Sequence, residues 1–187
     1  EYQQILALIQ TKNSRPITLD PRRTALIVVD MERYYTEPTS ALIELFNVLS
    51  PGAADGYLQR VSDSVIPNNQ KMLACFRALH SPIVFTAIGT ETGNGDDLPG
   101  WLRAFDELGQ ATLGRSIIPP VNDPSWQIDP ALAPQPGEQV VNKLSAGTFA
   151  TTGLEQRLRH QGIESVVVTG VTSDVCVTTT AREAADR

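Results

Sequence analysis

One continuous stretch, from Ser165 to Arg182, places the tightest constraint on how this chain folds. It contains three consecutive valines at 166–168, and a β-branched run without polar alternation is typical of a parallel strand buried on both faces. Gly170 ends that run. A helical pattern follows from Val175 to Ala185, so the stretch predicts a strand, a tight turn and a helix.

Cys176 lies in the first turn of that predicted helix. Backbone N–H groups are unpaired at a helix N-terminus, and their partial positive charge stabilises a thiolate or a developing oxyanion. An intracellular cysteine is most often a small buried hydrophobe, but open α/β sheets bind ligands beyond the carboxyl ends of their strands. We therefore predict that Cys176 is a nucleophile, whereas Cys75, in a predicted helix with apolar neighbours, is expected in the core.

Length and charge limit the class of protein. The 187 residues are enough for one domain with a sizeable core. A net charge of −6 gives no electrostatic footprint for nucleic acid or an anionic membrane surface, so neither partner is expected. Two cysteines in different contexts make no disulfide framework, and the sequence shows no signal segment or long apolar run. These features predict a cytoplasmic protein that acts on a small molecule.

Strands alternate with helices along the chain. Before the stretch at 165–182, the main predicted elements are strands at 24–29, 82–86 and 139–142 and helices at 61–79 and 152–161. This order predicts an α/β fold with a doubly wound, mostly parallel sheet and helices on both faces. We expect a single domain over residues 1–187 with an N-terminal arm at 1–20. Because such a sheet normally continues, we expect the chain to be cut short and a further strand to follow Arg187.

Two irregular segments, at 34–57 and 88–115, interrupt this order. Short helices are predicted within them at 42–49 and 101–105. Long loops in a compact domain usually shape a site or cover one. We therefore expect these two segments to determine which substrate binds.

Three reactive side chains are predicted at one edge of the sheet. Asp30 ends the first strand, Lys143 follows a later strand, and Cys176 begins the helix after another. A carboxylate there can accept the thiol proton, while an ammonium keeps that carboxylate charged and favours the thiolate. Taken singly, Asp30 also suits a strand-end cap and Lys143 a solvated surface residue. Together the three predict an activated nucleophile.

Three segments carry a resemblance to a known family. They are Val29-Asp30-Met31-Glu32, the residues from Asn142 to Phe149, and the residues from Thr169 to Val177. In this order they resemble the isochorismatase-like cysteine hydrolases, which include nicotinamidases, N-carbamoylsarcosine amidases, ureidoacrylate and biuret hydrolases, and isochorismatases. The resemblance extends from about Thr24 to Arg187. It implies a homo-oligomer, and we expect no cofactor.

The resemblance also implies roles for individual residues. By it, Asp30 is the general base, Lys143 the supporting cation and Cys176 the nucleophile. It further implies a cis peptide between Val171 and Thr172, which would direct the backbone N–H groups of Thr172 and Cys176 at an oxyanion. The expected substrate pocket comprises Glu32, Tyr35, Trp101, Phe149 and Val171.

The chain departs from the family pattern at two of these pocket positions. Where many members carry glutamine and phenylalanine, it has Glu32 and Tyr35. Nicotinamidases also carry several metal-binding histidines, whereas His80 and His160 are expected on the surface or at helix ends. We therefore expect no metal site.

The residues and the resemblance together predict a metal-independent cysteine hydrolase that cleaves a C–N bond of a small amide or ureido substrate through a thioester. One alternative is vinyl-ether hydrolysis of the isochorismatase type, which uses the acidic residue and the lysine but needs no thiol. The other is a non-catalytic binding member of the same fold. Cys176 counts against the first alternative, and the intact set of Asp30, Lys143 and Cys176 counts against the second.

Overall fold

A computed structural model describes residues 2–13 and 16–187 of the chain. Its centre is a sheet of four parallel strands in the order β3-β2-β1-β4. The strands are β1 (Thr24–Val29), β2 (Ile83–Ile88), β3 (Gln139–Lys143) and β4 (Ser165–Gly170). The chain moves outward from β1 to β3 and then returns to the other side of β1. The predicted doubly wound, parallel α/β fold is confirmed.

Helices surround this sheet. The α-helices are α1 (Tyr2–Asn13), α2 (Arg33–Thr36), α3 (Ala41–Leu49), α4 (Asp55–Arg60), α5 (Ile66–Ala78), α6 (Gly100–Leu113), α7 (Leu154–His160) and α8 (Thr178–Ala185). A π-helical segment at Val61–Val65 joins α4 to α5, and another at Ser173–Val177 precedes α8. Short 3-10 turns lie at Pro21–Arg23, Pro124–Trp126 and Pro130–Leu132.

The apolar run of β1 is buried along its whole length because helices cover both faces of the sheet. Successive side chains of a strand point to opposite faces. Leu26 and Val28 pack against residues of α5, whereas Ile27 packs on the opposite face with Leu154 and Leu158 of α7. The unbroken β-branched and aliphatic sequence of this strand follows from these two apolar environments.

The valines of β4 differ from β1, because they are only half-buried. The prediction that this strand is buried on both faces is therefore wrong for the part of the chain that the structure describes. There β4 pairs with β1 along one side, and no described strand pairs with its other side. A further strand after Arg187 stays a prediction.

The two irregular segments contain α3 and α6, at the places where short helices were predicted, and form a cap near the carboxyl edge of the sheet. Residues of α2, α3 and α6 share one apolar cluster with Ile117 and Ile118. Buried Asp106 ties this cap together, since its Oδ1 accepts the backbone N–H groups of Ile117 and Ile118, each at 2.8 Å. The helix predicted at 101–105 is longer in the structure and continues to Gly114, which ends it with a left-handed φ of 71°.

Three other predictions concern surface and terminal positions. Cys75 is exposed, so the prediction that it lies in the core is wrong. Of the predicted arm, residues 1, 14 and 15 lie outside the described residues, and Tyr2 in α1 is exposed. No helix in the described ranges has the length and apolar character needed to cross a membrane.

Candidate active site

Asp30 follows the last residue of β1 and is completely buried. Its backbone has a φ of 51°, a left-handed conformation that Asp adopts more readily than most residues with a side chain. The Asp30 N–H donates to the Thr86 carbonyl oxygen at 3.0 Å, and the Thr86 hydroxyl donates to Asp30 Oδ1 at 2.8 Å. Asp30 is thus held from the neighbouring strand through both its backbone and its side chain.

Lys143 is the last residue of β3 and is completely buried, which excludes the alternative of a solvated surface lysine. Its Nζ lies 2.9 Å from Asp30 Oδ2 and 3.5 Å from Cys176 Sγ, and it donates to the Ser145 carbonyl oxygen at 2.8 Å. Burial acts to lower the pKa of Lys143, but the negative charge of Asp30 and the nearby Cys176 outweigh it and raise that pKa. Lys143 is therefore an ammonium ion within the site.

Cys176 lies in the π-helical segment Ser173–Val177 and is 2% exposed. Burial and the Asp30 carboxylate raise the pKa of its thiol to about 12, although Lys143 acts in the opposite direction. Lys143 favours the thiolate as expected, but Cys176 is not a thiolate, because desolvation is the larger effect. At neutral pH the sulfur carries its proton, and a base must remove it as the sulfur attacks.

Thr172 and Cys176 present backbone donors beside this sulfur. The peptide bond between Val171 and Thr172 is cis, at the position that the resemblance implies. The Thr172 carbonyl oxygen accepts the N–H groups of Val175 and Val177, at 3.3 and 3.1 Å. Among the described turns and loops, no backbone hydrogen bond is donated by the Thr172 N–H. A free backbone donor near a nucleophile is what an oxyanion requires.

Thr86 and Gly170 are two site residues that the sequence reasoning missed. Both are register partners of Val29, the residue before Asp30. Thr86 was recognisable as a polar residue inside the otherwise apolar run of β2. Gly170 has a φ of 116°, and a Cβ there would overlap the Val29 carbonyl oxygen, so the turn after β4 requires glycine.

A cavity of about 740 Å³ opens in front of these groups. Cys176 and Thr172 belong to its wall, together with side chains of α2, α3, α4 and α6. Of the five predicted pocket residues, Tyr35, Trp101 and Val171 line this cavity. The helices of the two predicted loop segments therefore shape the space in front of Cys176.

Glu32 and Phe149 do not line the cavity, which corrects two of the pocket assignments. Glu32 is completely buried, and its Oε1 accepts the Ile88 N–H at 3.0 Å. Burial and the neighbouring Asp30 raise the pKa of Glu32 well above its ordinary value, which favours its neutral acid form. Phe149 packs in the core on the α7 side of the sheet, with the Arg187 guanidinium 5.4 Å from its ring centre.

Both histidines are exposed, as predicted. His80 lies just after α5 and His160 is the last residue of α7. Within residues 2–13 and 16–187, no three His, Cys, Asp or Glu residues form a group suited to a metal ion.

Comparison with known proteins identifies the family. The model of the isochorismatase domain matches residues 24–187. The chain belongs to the isochorismatase family. Its match spans the strands and the three clustered side chains, so the family predicted from the sequence motifs is confirmed, and the chain is a hydrolase of this family.

A named relative and a solved structure are similar to this chain over most of its length. Over 181 residues the chain is 30% identical to the ureidoacrylate amidohydrolase RutB of Pseudomonas syringae pv. syringae (strain B728a), with 90% of this chain and 67% of that protein covered. A cysteine hydrolase from Pseudomonas syringae pv. phaseolicola 1448A has a similar structure, with a TM-score of 0.72 and 28% identity over 93% of this chain and 72% of that one.

A more distant neighbour shares the fold. The N-carbamoylsarcosine amidase from Thermoplasma acidophilum has a TM-score of 0.59 and 23% identity, over 87% of this chain and 75% of that one.

Proposed function

We propose that the chain is a cysteine amidohydrolase that cleaves the C–N bond of a small amide or ureido substrate through a thioester on Cys176. The observation that carries this proposal is the buried cluster in which Lys143 Nζ lies 2.9 Å from Asp30 Oδ2 and 3.5 Å from Cys176 Sγ. Cys176 also belongs to the wall of the cavity, where a substrate carbonyl can approach it. The ureidoacrylate amidohydrolase name of a relative supports an amide or ureido substrate.

Acylation begins with the protonated thiol. As Cys176 Sγ attacks the carbonyl carbon, its proton passes to Asp30, and the electron pair of the C=O bond moves onto oxygen. The backbone N–H groups of Thr172 and Cys176 donate to that oxyanion. Protonated Asp30 then gives its proton to the leaving nitrogen, the C–N bond breaks, and the amine departs from a thioester.

Deacylation uses the same residues, with Asp30 first as base and then as acid. Asp30, again a carboxylate, takes a proton from a water molecule as the water oxygen attacks the thioester carbon. The C–S bond breaks, the carboxylic acid product leaves, and the Cys176 sulfur recovers a proton from Asp30. Throughout both halves Lys143 keeps its charge, which stabilises the Asp30 carboxylate in its unprotonated form.

A trapped intermediate tests this proposal. A panel of small amides and ureides is screened for released ammonia, and the reaction with the best substrate is stopped by acid within the first turnovers. We expect the acyl mass on the peptide that contains Cys176 and none on the peptide that contains Cys75. Because Cys75 is exposed and outside the cavity, Cys75→Ala is the matched control and is expected to keep wild-type turnover.

Cys176→Ala is expected to abolish turnover while substrate still binds, since the change removes the nucleophile and little of the cavity wall. A Cys176→Ala protein that turns over at a near wild-type rate would refute covalent catalysis. Chemistry by Asp30 without the thiol, as in vinyl-ether hydrolysis, would then be the better account.

Activity is also expected to survive exhaustive treatment with EDTA, because both histidines are exposed whereas Asp30, Lys143 and Cys176 are buried. Loss of activity that a divalent ion restores would contradict this expectation. A cytoplasmic location, a homo-oligomer and the absence of nucleic-acid and membrane partners stay predictions.

A further inference from the structure

Six of the residues that line the cavity are aromatic. They are Tyr34, Tyr35, Phe46, Tyr57, Trp101 and Phe105. Tyr34 and Tyr35 meet edge to face with ring centres 4.8 Å apart, an arrangement that aromatic pairs prefer. At about 740 Å³ the cavity lies within the range of roughly 300–1,000 Å³ that is typical of sites for drug-sized ligands. The space exceeds what a very small polar amide fills.

Charge is confined to the rim of this cavity. Among the described residues that line it, the charged side chains are Arg60 and Asp174, and both are exposed. Lys143, the buried cation nearby, is already paired with Asp30 at 2.9 Å and bonded to the Ser145 carbonyl oxygen. A substrate carboxylate held in the interior, away from Arg60 at the rim, would therefore lose its hydration without gaining a cation, which is strongly unfavourable.

Tyr57 supplies a polar group within this apolar wall. Its hydroxyl oxygen is buried and has no hydrogen-bond partner among the described residues. Tyr57 and Cys176 line the same cavity. Burial, then the charge of Asp30, raises the pKa of Tyr57, so its hydroxyl stays protonated. A buried hydroxyl without a partner is costly, so a bound ligand that pairs with it gains affinity.

We propose that the substrate is an uncharged primary amide with an aryl or alkyl acyl group, which packs on the aromatic wall while the Tyr57 hydroxyl hydrogen-bonds to its amide end. This inference rests on the proposed function and specifies its substrate. The reaction is R–CO–NH₂ plus water giving R–COOH and ammonia: the Cys176 sulfur displaces the nitrogen, and water then displaces the sulfur.

A series of acyl chain lengths tests the apolar part of the inference. We measure kcat/KM for acetamide, butanamide, hexanamide and benzamide, and for two anionic comparisons, ureidoacrylate and the monoamide of adipic acid. Along the alkyl series kcat/KM is expected to rise about fourfold per methylene, the ratio that corresponds to the transfer free energy of one buried CH₂. The adipic monoamide has a chain as long as that of hexanamide and differs from it by a terminal carboxylate. It is expected to be at least about tenfold worse.

Two variants test the roles of Tyr57 and Trp101 in the cavity. Tyr57→Phe removes only the hydroxyl and is expected to lower kcat/KM about 2- to 13-fold for every amide in the series, the equivalent of one neutral hydrogen bond. Trp101→Ala is expected to lower kcat/KM for benzamide and to leave that for acetamide nearly unchanged. Tyr2→Phe, at an exposed tyrosine outside the cavity, is the matched control and is expected to have no effect.

Binding provides a readout that does not depend on turnover. Calorimetry with Cys176→Ala protein is expected to show tighter binding of hexanamide than of the adipic monoamide. Equal or tighter binding of the anionic compound, or a Tyr57→Phe protein with unchanged kcat/KM, would overturn the inference.

The outcomes separate this inference from the proposed function. Efficient cleavage of ureidoacrylate through a covalent acyl group on the Cys176 sulfur, with poor cleavage of hexanamide and benzamide, would overturn the inference and leave the proposed function standing. Cleavage of no amide in the series, with no acyl mass on Cys176, would overturn both.

Discussion

Replacing Lys143 by methionine should strongly destabilise the protein. Lys143 and Asp30 are both completely buried, and the substitution leaves the Asp30 carboxylate without its cation at 2.9 Å. Removing one member of a buried ion pair typically costs about 3–5 kcal/mol, because the remaining charge has neither water nor a partner. We therefore expect Lys143→Met to lower the free energy of unfolding by about 3–5 kcal/mol at pH 7.

This loss of stability should depend on pH, because the variant can remove the buried charge by taking up a proton on Asp30. An Asp carboxyl in an unfolded chain titrates near ~3.9, so holding a proton on it at pH 7 costs about 4 kcal/mol. That cost falls by about 1.4 kcal/mol for each unit by which the pH is lowered. The loss in Lys143→Met is then expected to be smaller at pH 5 than at pH 7 by about 2.7 kcal/mol.

Equilibrium unfolding in urea, measured at both pH values, gives these free energies. The double variant Asp30→Asn with Lys143→Met is the matched comparison, because it contains no buried charge at this position and Asn can still accept from the Thr86 hydroxyl. It is expected to recover most of the stability that the single variant loses. A single variant within about 1 kcal/mol of wild type, or a double variant no more stable than the single one, would refute the reasoning.

Three further predictions concern the thiol, the buried acid and the turn. Alkylation of Cys176 by iodoacetamide is expected to be slow at pH 7 and to accelerate about tenfold per pH unit up to pH 10, because the pKa of this thiol is about 12; a rate that levels off below pH 9 would contradict this. Glu32→Gln is expected to keep kcat/KM within about threefold at pH 7, since glutamine resembles the neutral acid that burial favours; a loss beyond about 100-fold would show that a charge is needed. Gly170→Ala is expected to lower the free energy of unfolding by more than ~2 kcal/mol through overlap with the Val29 carbonyl oxygen, while Gly56→Ala, with no atom within 4 Å of the added Cβ, changes it by less than ~1 kcal/mol; equal effects in urea titrations would contradict the steric account.

Local patterns were enough to predict the frame of this protein. The apolar run at 24–29, the short strand at 139–142 and the strand, turn and helix at 165–182 are short-range features, and each strand appears close to where the pattern indicated it. Because parallel strands share a carboxyl edge, chain order alone also predicted that Asp30, Lys143 and Cys176 would lie together. The structure brings Lys143 within 2.9 Å of Asp30 and 3.5 Å of Cys176.

Burial and the contents of the cavity were decided by the tertiary structure. The sequence placed Cys75 in the core and favoured a Cys176 thiolate, whereas Cys75 is exposed and burial raises the pKa of Cys176 to about 12. Desolvation depends on every group packed around an atom, and those groups come from segments far apart in the chain. The lining of the cavity also depends on packing between distant segments. Glu32, close in sequence to Asp30, lies outside the cavity, while Tyr57 on a separate helix lies in its wall.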